Sequence, residues 1–243
     1  MPVPDVAAAA STRRERVRDA TVQEIKDTAR SLLVEQGPDA LTLRAIARSM
    51  GMTAPALYRY FASHEEVVAA LCADVLDEIT GRLESARDGA PADEPVERLM
   101  AACREFRRWS LSHPREFQLT FASGPQATEG QPVAHQEPGT DLSFGAVFLG
   151  IFVEIWNRAP FQVPPDTALP AALTRQLQTF IERTGTPLPP GVLVAYLSGW
   201  VRLYGAVTIE VFGHLGFALE DAEGLFEAML ADMRRGLTTP PAR

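Results

Sequence analysis

Residues Thr42–Phe61 read TLRAIARSMGMTAPALYRYF. Leu43, Ile46, Ala47 and Met50 recur at i, i+3, i+4 and i+7, one apolar face of a helix. Gly51 follows directly, where a helix end commonly needs a left-handed residue that only glycine adopts cheaply. Thr53 offers a hydroxyl to the free N–H groups of a new helix. Pro55 falls in that helix's first turn, where its missing N–H costs nothing. Leu57 anchors the second helix and Phe61 closes it. The spacing predicts two short helices joined by a tight turn.

Helices this short are not stable alone and need a larger helical frame. The arrangement is that of a helix-turn-helix, whose second helix enters a DNA major groove. An ordinary helical hairpin in a bundle core has the same apolar pattern. Ala47 is small enough to let the two helices cross closely, and Tyr58, Arg59 and Tyr60 place hydroxyls and a guanidinium at one end, suited to phosphates and base edges.

The run from Gly37 through Leu41, Thr42, Ile46, Ala47, Gly51, Ala56-Leu57-Tyr58, Tyr60-Phe61, Ser63 and Glu65-Glu66 resembles the TetR family of bacterial transcription regulators, over residues of about 17 to 71. The resemblance implies an all-α chain: an N-terminal three-helix helix-turn-helix DNA-binding domain and a larger C-terminal helical domain for ligand binding and dimerisation. It implies that Thr53, Tyr58, Tyr60 and His64 hold phosphates and that Thr53, Ala56 and Arg59 lie nearest the bases. Thr42, Arg44, Ala54 and Pro55 complete the expected DNA-binding set. His64 stands where the family usually carries Lys; a neutral imidazole still donates one hydrogen bond but brings less charge. Ala54 is short where the family often has a longer polar residue, which leaves it a methyl contact.

The 243 residues are 46% hydrophobic and 22% charged, enough for one large or two modest domains. A net charge of −8 looks wrong for a DNA binder, but its distribution is informative. Residues 1–64 hold nine Lys/Arg against seven Asp/Glu, and residues 65–243 hold fourteen against twenty-four. The basic groups gather at the end expected to face DNA, and an acidic remainder repels DNA and so orients the approach. No unbroken run of about eighteen apolar residues occurs, so no membrane span is expected. The start, MPVPDVAAAAS, lacks the charged opening and long apolar run of a signal peptide. Cys72 and Cys103 form no CxxC pair and read as reduced, buried thiols of a cytoplasmic protein.

His64, His113, His135 and His214 have no ligand partner at helical spacing, so no metal is expected. No GxSxG elbow, phosphate loop or dinucleotide fingerprint occurs; neither enzyme activity nor a cofactor is expected.

Along the chain, residues 1–16 are expected to be a disordered basic arm, 17–64 the DNA-binding domain and 65–238 the C-terminal domain. Arg14 and Arg16, with Arg13 and Arg18, could follow phosphates or enter the minor groove; a solvated charge run that aids solubility looks the same. A first helix over about 17–36 carries Val22, Ile25, Ala29, Leu32 and Leu33. Ser63 and Glu66 form a capping box that opens a helix to about residue 86, the natural lever between the domains. Helices follow at about 96–112, 142–158, 167–184, 191–214 and 219–236, with a short one bearing Phe117 and Phe121 after His113-Pro114. Residues 123–141 read as a long Gly-, Pro- and Gln-rich loop.

The last two helices resemble those of a TetR subgroup marked by a Trp, then a His-Gly pair, then an apolar-Glu step. Trp200, Gly205 and Glu210 match, with Tyr204 where the His is usual. By resemblance, about 191–214 and 219–236 pair with their copies in a homodimeric four-helix bundle; ordinary internal packing is the alternative. Ala195, Gly199, Ala206 and Gly213 allow close backbone approach. The middle helices hold a surplus of aromatics, Phe106, Trp109, Phe117, Phe121, Phe148, Phe152, Trp156, Trp200 and Tyr204, suited to lining a pocket for a small apolar or planar effector. Any single one of them is better explained by the core, and the pocket as such is what the resemblance implies. Glu154, Asn157 and Arg202 are candidate polar contacts. The function expected is a DNA-binding regulator of the repressor type, released from a palindromic operator by that ligand. The alternatives are a helical ligand- or partner-binding protein without regulated DNA contact, and a small enzyme on a helical scaffold.

Overall fold

The computed structural model describes residues 12–122 and 141–240. All regular structure among the described residues is helical. The expected loop at 123–141 and the first eleven residues lie outside them, apart from Asp141, which opens a helix. Two compact units divide the chain: one of residues 12–75 and 115–122, the other of 76–114 and 141–240.

In the first unit, α1 spans Arg13–Gln36. It starts earlier than the apolar stripe suggests because Thr12 and Glu15 form a reciprocal cap: Thr12 Oγ1 accepts from the Glu15 N–H at 3.2 Å, and the Thr12 N–H donates to Glu15 Oε2 at 2.6 Å. The arginines read as an arm are thus the first turns of a helix. A buried stripe of Ile25, Ala29, Leu32 and Leu33 faces the unit's core, and Gly37, at φ +89°, ends the helix. α2 (Leu43–Ser49) buries Leu43, Ile46 and Ala47, and α3 (Ala54–Leu57) buries Leu57. α4 (His64–Gly89) begins in this unit, where Val67, Leu71, Cys72 and Val75 are buried, and continues into the second. α6 (Pro114–Phe117) and the π-turn Gln118–Ala122 complete the first unit from Arg115 onward; Arg30 Nε donates to Glu116 Oε1 at 3.2 Å and ties α6 to α1.

The second unit is built around α5 (Pro95–Ser112), which packs on α7 (Asp141–Arg158), α9 (Pro190–Val211) and α10 (Glu223–Thr238); α8 (Ala171–Thr184) packs on α9. Phe106 of α5 sits in a ring cluster with Phe144 and Phe148 of α7 and Trp200 of α9, centroids 5.5 to 6.4 Å apart. Such contacts add to the area term of burial. α9 is long and apolar enough, by length and composition, to cross a membrane, although no unbroken apolar run marks it in the sequence. Yet it carries Arg202 and Glu210, the latter paired with Arg107 at 2.6 Å, and it buries Leu203 and Val207 in the body.

Candidate DNA-binding face and body cavity

The turn between α2 and α3 is closed by backbone. Met52 N–H donates to Ala47 O at 2.8 Å, and Gly51 takes the left-handed φ of +65° at which a Cβ would be strained. Beyond Leu57 the α3 turn tightens: Tyr60 N–H donates to Leu57 O at 2.8 Å, extending a helical surface through Tyr58, Arg59 and Tyr60. Thr53, Pro55, Tyr58 and Arg59 are exposed, and Ala54, Ala56 and Tyr60 are half-buried. Thr53 makes no capping bond through its side chain, contrary to the expectation, whereas Thr42 does.

Thr42, Arg44, Tyr58 and His64 line one shallow cleft together with Asp39 and Ser63. Four residues expected at DNA therefore come together at the mouth of α2 and the start of α4. His64 is half-buried, and its Nε2 is enclosed with no hydrogen-bonding partner among the described residues. Ser63 caps α4 as expected, accepting from the Glu66 N–H at 3.3 Å, but Glu66 reaches one residue further than in a regular box, to the Ala62 N–H at 2.6 Å. Arg14 and Arg16 lie exposed on α1, and Arg18 stacks over the Tyr60 ring at 5.6 Å.

In the second unit a cavity of about 500 Å³ opens between α5, α7, α9 and α10. Phe148, Phe152 and Trp200 line it, as do Phe161 and Tyr196, which the sequence did not single out. Tyr196 precedes Trp200 by one helical turn, a spacing that could have flagged it. Burial pushes the Tyr196 hydroxyl up to about 12 and the lining Cys103 thiol up to about 12. The other expected aromatics lie elsewhere. Phe106 backs the cavity through its stack on Trp200 at 6.2 Å, and Tyr204 sits 5.9 Å from Trp200. Trp109 is fully buried, donating Nε1–H to Glu78 Oε1 at 3.0 Å and stacking on His113. Trp156 contacts Phe161 from the side, and Phe117 and Phe121 stack on each other in the first unit. Arg202 lines the cavity rim, while Glu154 pairs with Arg98 at 2.6 Å and Asn157 is exposed.

Among the described residues no group of His, Cys, Asp and Glu could hold a metal, and Cys72 and Cys103 are buried and form no disulfide.

Comparison with known proteins follows the same division. The family model described as tetR-family bacterial regulatory proteins matches residues 25–71, and that described as the tetracyclin repressor-like C-terminal domain matches residues 99–233. The HTH-type transcriptional regulator Rv1816 of Mycobacterium tuberculosis is 28% identical over 217 residues, covering 89% of this chain and 92% of that one. The crystal structure of the regulatory protein SCO4313 is 31% identical with a TM-score of 0.62, over 91% of this chain and 98% of that one. RolR, solved in complex with resorcinol, shares the fold at a TM-score of 0.56 and 16% identity, over 95% of this chain and 99% of that one. With the C-terminal match alone spanning more than half of its length, the chain belongs to the TetR family: it is a transcriptional regulator with a helix-turn-helix DNA-binding domain, not an enzyme.

Proposed function

We propose that the protein is a homodimeric repressor that holds a palindromic operator and releases it when a small apolar or aromatic ligand enters the body cavity. The observation that carries this is the gathering of Thr42, Arg44, Tyr58 and His64 around one cleft beside the exposed start of α3. Hydroxyls and a guanidinium placed there suit two phosphates flanking a helix inserted in the major groove. Thr53, Ala56 and Arg59, on the exposed side of α3 and its continuation, are the residues proposed to meet the bases. The dimer is proposed to form through α9 and α10, where Leu197, Val201, Ile209, Phe212 and Leu225 stay exposed in the single chain. Two recognition helices would then reach successive major grooves, about 34–36 Å apart. The aromatic cavity supplies the effector site, and coupling would be reciprocal: operator DNA weakens ligand binding by the factor by which ligand weakens DNA binding. Two buried thiols outside any disulfide support a cytoplasmic setting.

Selection of bound duplexes from a random library at two salt concentrations tests this reading. Enrichment of a palindrome, with binding that falls steeply as salt rises, is the expected result. No enrichment at either salt would leave the alternative, a helical ligand- or partner-binding protein without regulated DNA contact.

A further inference from the structure

The charges around the body cavity are confined to its rim. The floor is aromatic and aliphatic: Phe148, Phe152, Phe161, Tyr196, Trp200 and Leu203. The charged lining residues are Arg202, Asp232 and Arg235, all exposed. Asp232 serves both arginines at once. Its Oδ2 accepts from Arg202 Nη2 at 2.6 Å, and its Oδ1 accepts from Arg235 Nη2 at 3.1 Å. Two cations against one carboxylate leave the rim with one uncompensated positive charge. Each guanidinium carries five donors in a planar fork, and each gives one nitrogen to Asp232, so donors remain that fit a second carboxylate.

From this we propose that the effector is a single-tailed amphiphile with an anionic carboxylate head: its apolar body lies among the cavity aromatics and its head meets Arg235 and Arg202 at the rim. The inference rests on the cavity being the effector site. It deepens that assignment by naming the ligand's chemistry. A cationic head is disfavoured by the net charge of the rim, and a neutral head leaves the free guanidinium donors to water. A charge buried deeper in the ligand is excluded as well, because the cavity floor has no ionised partner for it.

The test titrates the full-length protein by calorimetry with decanoate, 1-decanol and decylamine at neutral pH. The expected order is decanoate, then decanol, then decylamine, with decanoate about three- to fivefold tighter than decanol, the scale of one exposed ion pair. Arg235→Gln removes the uncompensated charge and is expected to bring decanoate level with decanol. Asp232→Asn raises the rim charge and is expected to widen the gap. Opposite responses from two exposed positions cannot both come from misfolding. Equal binding of the three probes, or a preference for decylamine, overturns the carboxylate assignment while leaving the cavity as an effector site. Failure of all three to bind overturns both.

Discussion

Thr42 and Thr53 occupy the same place at the start of successive helices, yet only one uses its side chain to cap. Thr42 Oγ1 accepts from the Ala45 N–H at 3.1 Å. At Thr53 the corresponding donors are gone: Pro55 has no N–H, and the Ala56 N–H donates to the Thr53 carbonyl at 2.9 Å. The proline that opens α3 thus leaves the exposed Thr53 hydroxyl available to another partner, which under the proposed function is the operator. Two substitutions separate the roles. Thr42→Ala is expected to cost about 1 kcal/mol of folding stability through the lost cap. Thr53→Ala is expected to leave stability within about 0.5 kcal/mol and to weaken operator binding. Denaturant titration and a fluorescence-anisotropy binding assay read both, and equal stability losses would contradict the distinction. His64 permits a converse test. Its Nε2 is enclosed and without a hydrogen-bonding partner among the described residues. His64→Lys is expected to tighten DNA binding and steepen the plot of log K against log salt by about 0.9, one more phosphate neutralised; an unchanged slope would place residue 64 away from the backbone.

At the scale of the element, close backbone approach decides what α9 tolerates. A Cβ on Gly191 would lie 2.2 Å from the Pro164 carbonyl oxygen, and the Gly191 N–H donates to Asp166 Oδ1 at 3.0 Å. Because backbone cannot swing aside as a side chain can, Gly191→Ala is expected to destabilise by about 1–3 kcal/mol. Gly205→Ala, inside the helix with open space around it, is the control and should stabilise by about 0.5–1 kcal/mol. The buried Cys103 thiol and the half-buried Tyr196 phenol of the cavity make a further prediction. Cys103 has an ordinary value of 9.0 and is held near 12, and Tyr196 rises from 10.0 to about 12. Above pH 9 the unfolded chain loses these protons while the folded chain keeps them, so stability should fall as pH rises from 9 toward 12. A denaturation midpoint that stays level across that window would contradict their burial.

The order and type of the helices were legible because apolar periodicity and caps are local. Leu43, Ile46 and Ala47 are buried as their spacing requires, and Gly51 has the positive φ expected of a residue that ends a helix. What was not legible depends on partners distant in sequence. An aromatic residue on an apolar face announces burial but not its neighbours. Trp109 therefore reads like Trp200, although one is locked to Glu78 and His113 and the other lines the cavity. Arg235 carries no signal in the sequence, and its place at the cavity rim emerges only once Asp232 bridges it to Arg202 of α9.

For the whole molecule the decisive feature is apolar surface that a single chain leaves uncovered. Val201 is 68% exposed, Leu197 43%, Ile209 41% and Leu225 54%, on the two helices proposed to meet a second copy. Each is unremarkable alone, but Leu197, Val201 and Ile209 are spaced at four and eight residues and so share one stripe of α9. Val201→Asp probes that stripe at its most exposed point. A residue so open in the single chain adds little to its folding, so the variant should keep its helical circular dichroism. Burying the new carboxylate unpaired between two copies would cost several kcal/mol per subunit. The expected result is a monomer by sedimentation at micromolar concentration. Operator affinity should drop as well, because the two half-sites would then be bound as separate events rather than one. A variant that sediments as a dimer would place the subunit interface elsewhere. One that becomes monomeric yet keeps full operator affinity would break the link between the α9 stripe and recognition of a palindrome.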